Sequence, residues 1–370
     1  FSPSEIAAFF QAEDRVLHSW WRETILLTIG YLGKTAIGQS LKLVKAILSA
    51  FPHDVAGLAA AELAAAGLLE LEAPTPDTRQ EVHDRLVALL TNPLISPPCS
   101  LRALAGRTLS RLGDKRPGVG TVAKNSILIP DVQWGGEVPP GTYQIGGTGR
   151  WDEEVRDAMI QRPYRLARYP ITNAQFQCFV EASDRDEPAW WHGLPAAEKK
   201  FSAPEFPDAN HPRDSVSWCQ AVAFCRWLSH KLGDEVGLPH EDEWEVAARW
   251  DGEKADSRMY PWAGDFEANK ANTQEGGVRQ TTAVGIYPAG KNVALELYDL
   301  SGNVWEWCVN KYRDPAETAV DEARRVVRGG SWNYYQDAAR VACRGYDPPT
   351  VRSSFNGFRV VCRPPSHFDH

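Results

Sequence analysis

The chain has 370 residues, of which 43% are hydrophobic and 24% charged, and its formal net charge is −8. This composition is typical of a soluble globular protein, and the length suggests two or three domains. The negative balance contains no block of like charges, which argues against nucleic acid or an anionic membrane surface as a partner. No run of 18 apolar residues occurs, so we expect no membrane-spanning helix.

The seven cysteines are an odd number and include no CxxC motif, so neither a zinc ribbon nor a thioredoxin motif is indicated. Several lie among apolar residues, which favours reduced thiols packed as small hydrophobic groups. Because no signal peptide is recognisable, we expect a cytoplasmic protein. The first residue is Phe1 rather than Met, so we expect the chain to be processed or to be a piece of a longer protein.

The first 113 residues are rich in Leu and Ala and have helical spacing of apolar residues over most of their length. Glycine and proline predict breaks at Gly30/Gly33, at Phe51-Pro52, at 74–77 and at 97–98. Five or six helices joined by short turns predict an all-α, helical-repeat-like domain over 1–113.

The composition of residues 114–126 predicts a linker, and the pattern changes after it. Short β-prone runs bounded by Gly and Pro occur at 127–130, 142–145, 164–171, 282–288, 325–330 and 357–362. Capping boxes predict helices after Thr172 and Ser217, and a third helix is predicted over 240–250. Residues 127–370 are therefore predicted to form an α+β domain with much irregular structure.

Seven sequence blocks occur in order in this second half: RYPITNAQF (168–176), SVSWCQAVAFCRWL (215–228), LPHEDEWEVAAR (238–249), YPWAG (260–264), ELYDLSGNVWEWC (296–308), RVVRGGSW (325–332) and NGFRVV (356–361). Together they closely resemble the formylglycine-generating-enzyme (sulfatase-modifying factor) family, over roughly residues 125–363. The resemblance implies a C-type-lectin-like fold. The helical half resembles the segment that precedes this domain in large bacterial proteins with an upstream STAND-type ATPase, so such a module is an expected partner.

The resemblance also implies where catalysis would reside. The family's enzymes bind copper(I) through two cysteines that follow the GGS motif, and soft thiolates suit that metal. Tyr334 and Ala339 occupy these two positions, and Cys343 lies four residues too late. We therefore expect no copper and no formylglycine-generating activity. A second branch of the family, the iron-dependent sulfoxide synthases, needs clustered histidines, whereas the helical half has only the scattered His18, His53 and His83.

A calcium site is a further implication of the resemblance. The family's site corresponds to the side chains of Asp299 and Glu306 and the carbonyls of Gly302 and Val304, and such oxygen ligands suit calcium. The alternative is that the two carboxylates cap backbone N–H groups without an ion. A second family site near Asn272 and Thr273 would have Gly276 at its carboxylate position and is not expected. Trp305 and Trp307 are interpreted as core residues.

Residues 332–356, the variable segment, alternate a fixed frame with irregular positions. Arg340, Ala342, Arg344, Pro349, Arg352 and 357–359 have structural spacing, and the arginines are predicted to hold loops through carbonyls or carboxylates. The positions between them mix aromatic, small, acidic and apolar residues with no period of a helix or strand. From Asp337 to Asn356 there is no Lys, Glu, Gln, Met or Trp.

This restricted alphabet resembles the variable region of diversity-generating-retroelement proteins, in which adenines of Asn-type codons are randomised; Gln336 departs from that pattern. The composition suits binding, since Tyr anchors contacts at low entropy cost while Ser, Gly and Asp adapt. The sequence thus predicts a non-catalytic protein that binds an unknown protein or other macromolecule. A fixed binding surface, a purely structural loop and an unrecognised protein-modifying oxidoreductase remain alternatives. The predicted ligand-binding positions are Tyr334, Tyr335, Asp337, Ala338, Val341, Cys343, Gly345, Tyr346, Asp347, Val351, Ser353, Ser354 and Phe355.

Overall fold

A computed structural model describes residues 2–72, 74–124, 127–149, 151–152, 154–255 and 257–364. Residues 125–126 of the predicted linker, and 365–370 with single positions 150, 153 and 256 of the predicted second domain, lie outside the described residues. The chain divides into two compact units, 1–114 and 115–370. None of the helices within the described ranges combines the length and apolarity needed to cross a membrane.

The first unit is all-α. Its central helix α4 begins after Asp54, whose carboxylate accepts a hydrogen bond from the Gly57 N–H, and is buried along nearly all of its length. Such a helix forms because Ala and small residues let neighbouring helices approach on every side. The helices in the described part of this unit are α1 (Pro3–Gln11), α2 (Ser19–Thr35), α3 (Ile37–Ala50), α4 (Val55–Leu69), α5 (Pro76–Leu90) and α6 (Cys99–Leu112).

The predicted break at Gly30/Gly33 is wrong, because α2 continues to Thr35. A Cβ atom at Gly33 would lie 2.4 Å from a methyl carbon of Leu71. This glycine therefore permits close packing against Leu71 instead of ending the helix. The pattern indicated a helix break, whereas in the structure the absent side chain of this glycine makes room for Leu71.

The second unit is α+β, as predicted. The capping boxes at Thr172 and Ser217 are both formed, and Gly233 ends its helix in the left-handed conformation. Its helices are α7 (Asn173–Glu181), α8 (Pro188–Trp191), α9 (Trp218–Leu232) and α10 (Glu241–Arg249). Its strands are β1 (Thr121–Lys124), β2 (Ile127–Pro130), β3 (Gly141–Ile145), β4 (Arg156–Ile160), β5 (Arg165–Leu166), β6 (Glu235–Gly237), β7 (Trp305–Lys311), β8 (Arg325–Arg328), β9 (Arg344–Asp347), β10 (Asn356–Gly357) and β11 (Val361–Arg363).

The largest sheet has the order β10-β7-β8-β9, with β10 parallel to β7 and the other pairs antiparallel. A three-stranded sheet has the order β5-β11-β6, and β1-β2 and β3-β4 form two-stranded sheets. Strand β7 carries Trp305 and Trp307, which are buried as predicted. The four-stranded sheet thus supports the variable segment, since β9 belongs to that segment and β10 closes it.

Two other expectations differ from the structure. Residues 282–288 form turns rather than a strand. Most of the predicted linker belongs to the second unit: β1 pairs with β2, and the Val119 side chain is buried in a small core with Tyr169 and Val284. Its Gly and Pro content reflects tight turns and not a free connection.

A buried ion pair joins the blocks NVWEW and GFR of the sequence. The guanidinium of Arg359 donates to both carboxylate oxygens of Glu306, at 2.8–3.2 Å, and Glu306 also accepts from the Trp244 indole at 2.7 Å. The remaining guanidinium hydrogens go to the carbonyls of Ala167 and Tyr298, among others. Because each polar atom has a partner, the pair is tolerated in the core.

A second buried pair joins RGGSW to HEDEWE. Arg328 donates to the carboxylate of Glu245 and to the carbonyls of Ala342 and Cys343, at 3.0 and 2.9 Å. Neighbouring carboxylates, of which Glu245 is the nearest, raise the pKa of Arg328 despite the cost of burial. Arg328 therefore stays charged and holds both α10 and the chain at 342–343.

Replacing Glu306 with Gln should destabilise the second unit by about 3–5 kcal/mol, because the Arg359 guanidinium would remain buried without a counter-charge. Urea unfolding followed by Trp fluorescence measures this, since all but two of the 14 tryptophans lie beyond residue 130. The exposed Glu253→Gln is the matched control and should leave the midpoint unchanged. Equal midpoints for the two variants would contradict the role of the pair.

Candidate functional site

The variable segment begins where β8 ends and is shaped by turns. Gly329 and Gly330 have φ values of +93° and +72°, and a Cβ at Gly330 would lie 2.8 Å from the carbonyl oxygen of Ala338. Successive turns follow, in which Ala338 and Cys343 donate to carbonyls three residues earlier. The indole of Trp332 donates to the Ser354 carbonyl at 3.1 Å and so ties the two ends of the segment together.

Arginines hold the segment from below, as predicted. Arg340 donates to Asp152 at 3.0 and 3.2 Å. Arg344 forms two hydrogen bonds of 2.6 Å with Glu241, and Arg352 donates to Glu198 at 2.9 Å. Charge-assisted, largely buried contacts of this kind fix a backbone without regular secondary structure.

The predicted binding positions separate into three groups by exposure. Tyr334, Tyr335, Tyr346 and Asp337 are exposed. The half-buried positions are Ala338, Gly345, Asp347, Val351, Ser353, Ser354 and Phe355. The last two, Val341 and Cys343, are buried.

The prediction of Val341 as a surface position is wrong. Its side chain is fully buried and packs in the core with Trp244 and Val326. Alternation with fixed positions placed it among the variable residues, but the turn at 340–343 directs it inward. Cys343 is also buried, yet it contributes to the floor of a cavity.

This cavity has a volume of about 340 Å³, and we call it the aromatic cavity. Tyr334 meets the ring of Trp305 edge-on at 5.5 Å and that of Phe355 at 5.9 Å, while the Tyr312 and Tyr346 rings lie 4.4 Å apart. Its lining residues are Trp151, Trp305, Tyr312, Val327, Tyr334, Ala338, Cys343, Arg344, Gly345, Tyr346, Asp347 and Phe355. Seven of these are predicted binding positions: Tyr334, Ala338, Cys343, Gly345, Tyr346, Asp347 and Phe355.

The remaining walls were not predicted as site residues. Trp151 and Tyr312 come from loops far away in sequence, and Trp305 was interpreted as core, although its edge reaches the aromatic cavity. No local pattern marks such residues, because only the fold brings them to the variable segment.

The electrostatics of the aromatic cavity are dominated by one carboxylate. Asp347 accepts a hydrogen bond from the Asn356 side-chain amide at 2.7 Å. Burial raises the pKa of Asp347 above its ordinary value, and this outweighs the opposing effects of that hydrogen bond and of the Arg324 charge.

The two positions that correspond to the copper-binding cysteines of the family's enzymes hold Tyr334 and Ala339 in this chain. The Tyr334 ring forms a wall of the aromatic cavity, and Ala339 is a buried methyl group. Burial raises the pKa of Cys343, the one thiol among the described lining residues, to about 11. A thiol that stays protonated near neutral pH is a poor metal ligand and nucleophile.

The four residues of the expected calcium site do not fit that ion as a set. Both oxygens of Glu306 are bound by Arg359, and one also accepts from Trp244. A divalent cation at Glu306 would face a buried guanidinium. Asp299 accepts a hydrogen bond from the Gly285 N–H at 2.6 Å, as the ion-free alternative predicts, and burial raises its pKa to about 6. Within the described ranges, no group of three or more His, Cys, Asp or Glu residues is arranged to hold a metal.

Known proteins resemble this chain over about two thirds of its length. Hercynine oxygenase of Mycolicibacterium smegmatis is 30% identical over 281 residues, which cover 66% of this chain and 62% of that protein. The inactive C-alpha-formylglycine-generating enzyme 2 of Bos taurus is 30% identical over 286 residues, covering 62% of this chain and 89% of that protein. The chain thus spans about three fifths of the length of the hercynine oxygenase.

Among solved structures, Treponema denticola variable protein 1 superposes with a TM-score of 0.48 at 24% identity, over 66% of this chain and 98% of that one. Residues 136–364 match the family model of the sulfatase-modifying factor enzyme 1-like domain. This match confirms the fold class predicted from the ordered sequence blocks. Because it covers more than half of the sequence, the chain belongs to the family that is defined by the sulfatase-modifying factor enzyme 1-like domain.

Proposed function

We propose that this chain is a non-catalytic binding protein whose variable segment contacts a macromolecular ligand. The observation that carries this proposal is the aromatic cavity. Residues of the variable segment supply eight of its twelve lining positions, and one of them, Tyr334, occupies a position that the resemblance assigns to a copper-binding thiol. Recognition thus takes the place of chemistry on the same scaffold.

The composition of the exposed surface supports binding. Tyr334, Tyr335 and Tyr346 are 40%, 59% and 43% exposed, and rigid aromatic side chains of this kind are typical contact anchors. Exposed tyrosines that are fixed by a frame lose little entropy when a partner is bound. The name of the inactive Bos taurus relative agrees with a family in which some members lack the enzymatic activity.

The proposal includes diversification of the variable segment by a retroelement, and a helical first unit that connects the binding domain to an upstream ATPase module or effector. The restricted alphabet between Asp337 and Asn356 supports the first of these. Of the alternatives, an active formylglycine-generating enzyme would oxidise the cysteine of a sulfatase-type peptide to an aldehyde in the presence of copper. That product would overturn the non-catalytic proposal.

Binding is tested with the double variant Tyr334→Ala/Tyr346→Ala on the full chain. We expect a partner that is captured from the producing cell by the wild-type chain to be lost by this variant, at about tenfold or more in affinity. Met159→Ala changes an exposed residue outside the variable segment and the aromatic cavity, and should retain the partner. Equal capture by all three proteins, quantified by mass spectrometry, would place binding elsewhere.

Diversification is tested on the coding DNA. We expect a nearby near-repeat of the segment that encodes Trp332–Phe355, differing from it only where the repeat has adenine. Sequencing of the locus shows whether this repeat is present and requires no purified protein. A locus without such a repeat would leave a fixed binding surface in place of a diversified one.

Calcium remains an implication of the resemblance, and the contacts of Glu306 with Arg359 and Trp244 do not favour it. A bound calcium ion would stabilise the fold by mass action and raise the melting temperature. Because we expect no bound ion, the melting temperature should be the same with excess calcium and with a calcium chelator. Thermal unfolding followed by circular dichroism measures this. A melting temperature that falls with chelator and recovers with calcium would establish the site.

A further inference from the structure

The residues that line the aromatic cavity indicate the chemical class of its ligand. Six of its lining residues are aromatic: Trp151, Trp305, Tyr312, Tyr334, Tyr346 and Phe355. The π faces of such rings carry partial negative charge and attract cations.

The charged lining residues favour the same kind of ligand. Arg344 is compensated by its two hydrogen bonds to Glu241. Asp347 has a hydrogen bond with Asn356 but no ion pair with any described residue. Among the described lining residues, the charged group without an ion-pair partner is therefore the carboxylate of Asp347.

The structure already contains cations on two of these rings. The guanidinium of Arg344 lies 4.5 Å from the ring centroid of Tyr312, and that of Arg324 lies 4.7 Å from the centroid of Tyr346. Arg324 lines a neighbouring depression and not the aromatic cavity. Arg324 is exposed, and the high dielectric constant of the surrounding water weakens its repulsion of a second cation.

We propose that the aromatic cavity takes a single basic side chain, arginine or lysine, from a protein partner, with Asp347 as its counter-charge. This inference rests on the proposed function, since it names the part of the ligand that enters the site. The rings would contact the aliphatic stem and the cationic head, and the second carboxylate oxygen of Asp347 would accept a hydrogen bond from that head.

The half-buried carboxylate is then explained by binding. A desolvated Asp without a cation is unfavourable for the free protein, as the raised pKa of Asp347 indicates. An arriving guanidinium or ammonium group would supply the missing charge. Asp347 would thus form one half of an ion pair within an apolar wall, and the ligand would provide the other half.

The test is a titration of the full chain with N-acetyl-arginine amide and with the neutral, similarly shaped N-acetyl-citrulline amide. NMR chemical shifts of the Trp indole N–H groups report binding. We expect the arginine probe to bind about tenfold more tightly than the citrulline probe, and Asp347→Asn to remove most of that difference. Asp265→Asn is the matched control: this exposed carboxylate lies outside the variable segment and does not line the aromatic cavity, so its loss should have little effect.

The pH dependence of unfolding stability checks that the Asp347→Asn variant folds. Asp347 interacts with the charge of Arg324, with Tyr334 and with the Asn356 amide. Its pKa is raised in the folded state, so its contribution to stability is present in acid and is lost as pH rises through that pKa. The stability of Asp347→Asn relative to the wild type should therefore increase as pH rises from acid through the raised pKa of Asp347, measured by urea unfolding.

Three results would overturn the inference: equal binding of the two probes, no effect of Asp347→Asn on a well-folded variant, or no saturable binding of the arginine probe at tens of millimolar. A preference for N-acetyl-norleucine amide would assign the aromatic cavity to an apolar side chain instead. If the captured partner depends on Tyr334 and Tyr346 but not on Asp347, the proposed function stands and this inference fails.

Discussion

Two buried guanidinium–carboxylate contacts determine where the variable segment begins and ends. Arg328, which pairs with Glu245, lies four residues before the segment, and Arg359, which pairs with Glu306, lies three residues after it. All four side chains are almost fully buried. Because breaking such a pair leaves an uncompensated charge in the core, the backbone on both sides of the segment is strongly fixed. Substitutions at the exposed positions between these anchors are therefore not expected to change the path of the chain outside them.

Much of this frame could be predicted, because its signals are local or occur as ordered blocks. The capping boxes at Thr172 and Ser217 depend on residues three positions apart, and the arginine landmarks indicated contacts with carboxylates before their partners were known. Strand β7 was missed for a physical reason. It is buried on both faces, so it lacks the alternation that marks a half-exposed strand, and it carries the polar Glu306 and Asn310.

The candidate site could be predicted only in part. Seven lining residues are predicted binding positions of the variable segment, but Trp151 and Tyr312 reach the aromatic cavity through the fold alone. Val341 was assigned to the surface because spacing cannot tell which way a turn directs a side chain. The calcium expectation came from residue types at matching positions. The residue types at those positions do not reveal that Arg359 binds the carboxylate of Glu306 in the fold.

The burial of Val341 and Cys343 has a consequence for evolution of the surface. If the segment is rewritten, these two positions sample polar and bulky residues as often as the exposed ones do. A buried site accepts few of them, since overpacking or an unpaired polar group typically costs about 1–3 kcal/mol. Many members of such a library would therefore be eliminated for failing to fold before any ligand was encountered. The usable repertoire is set by the interior of the domain as much as by the number of variable codons.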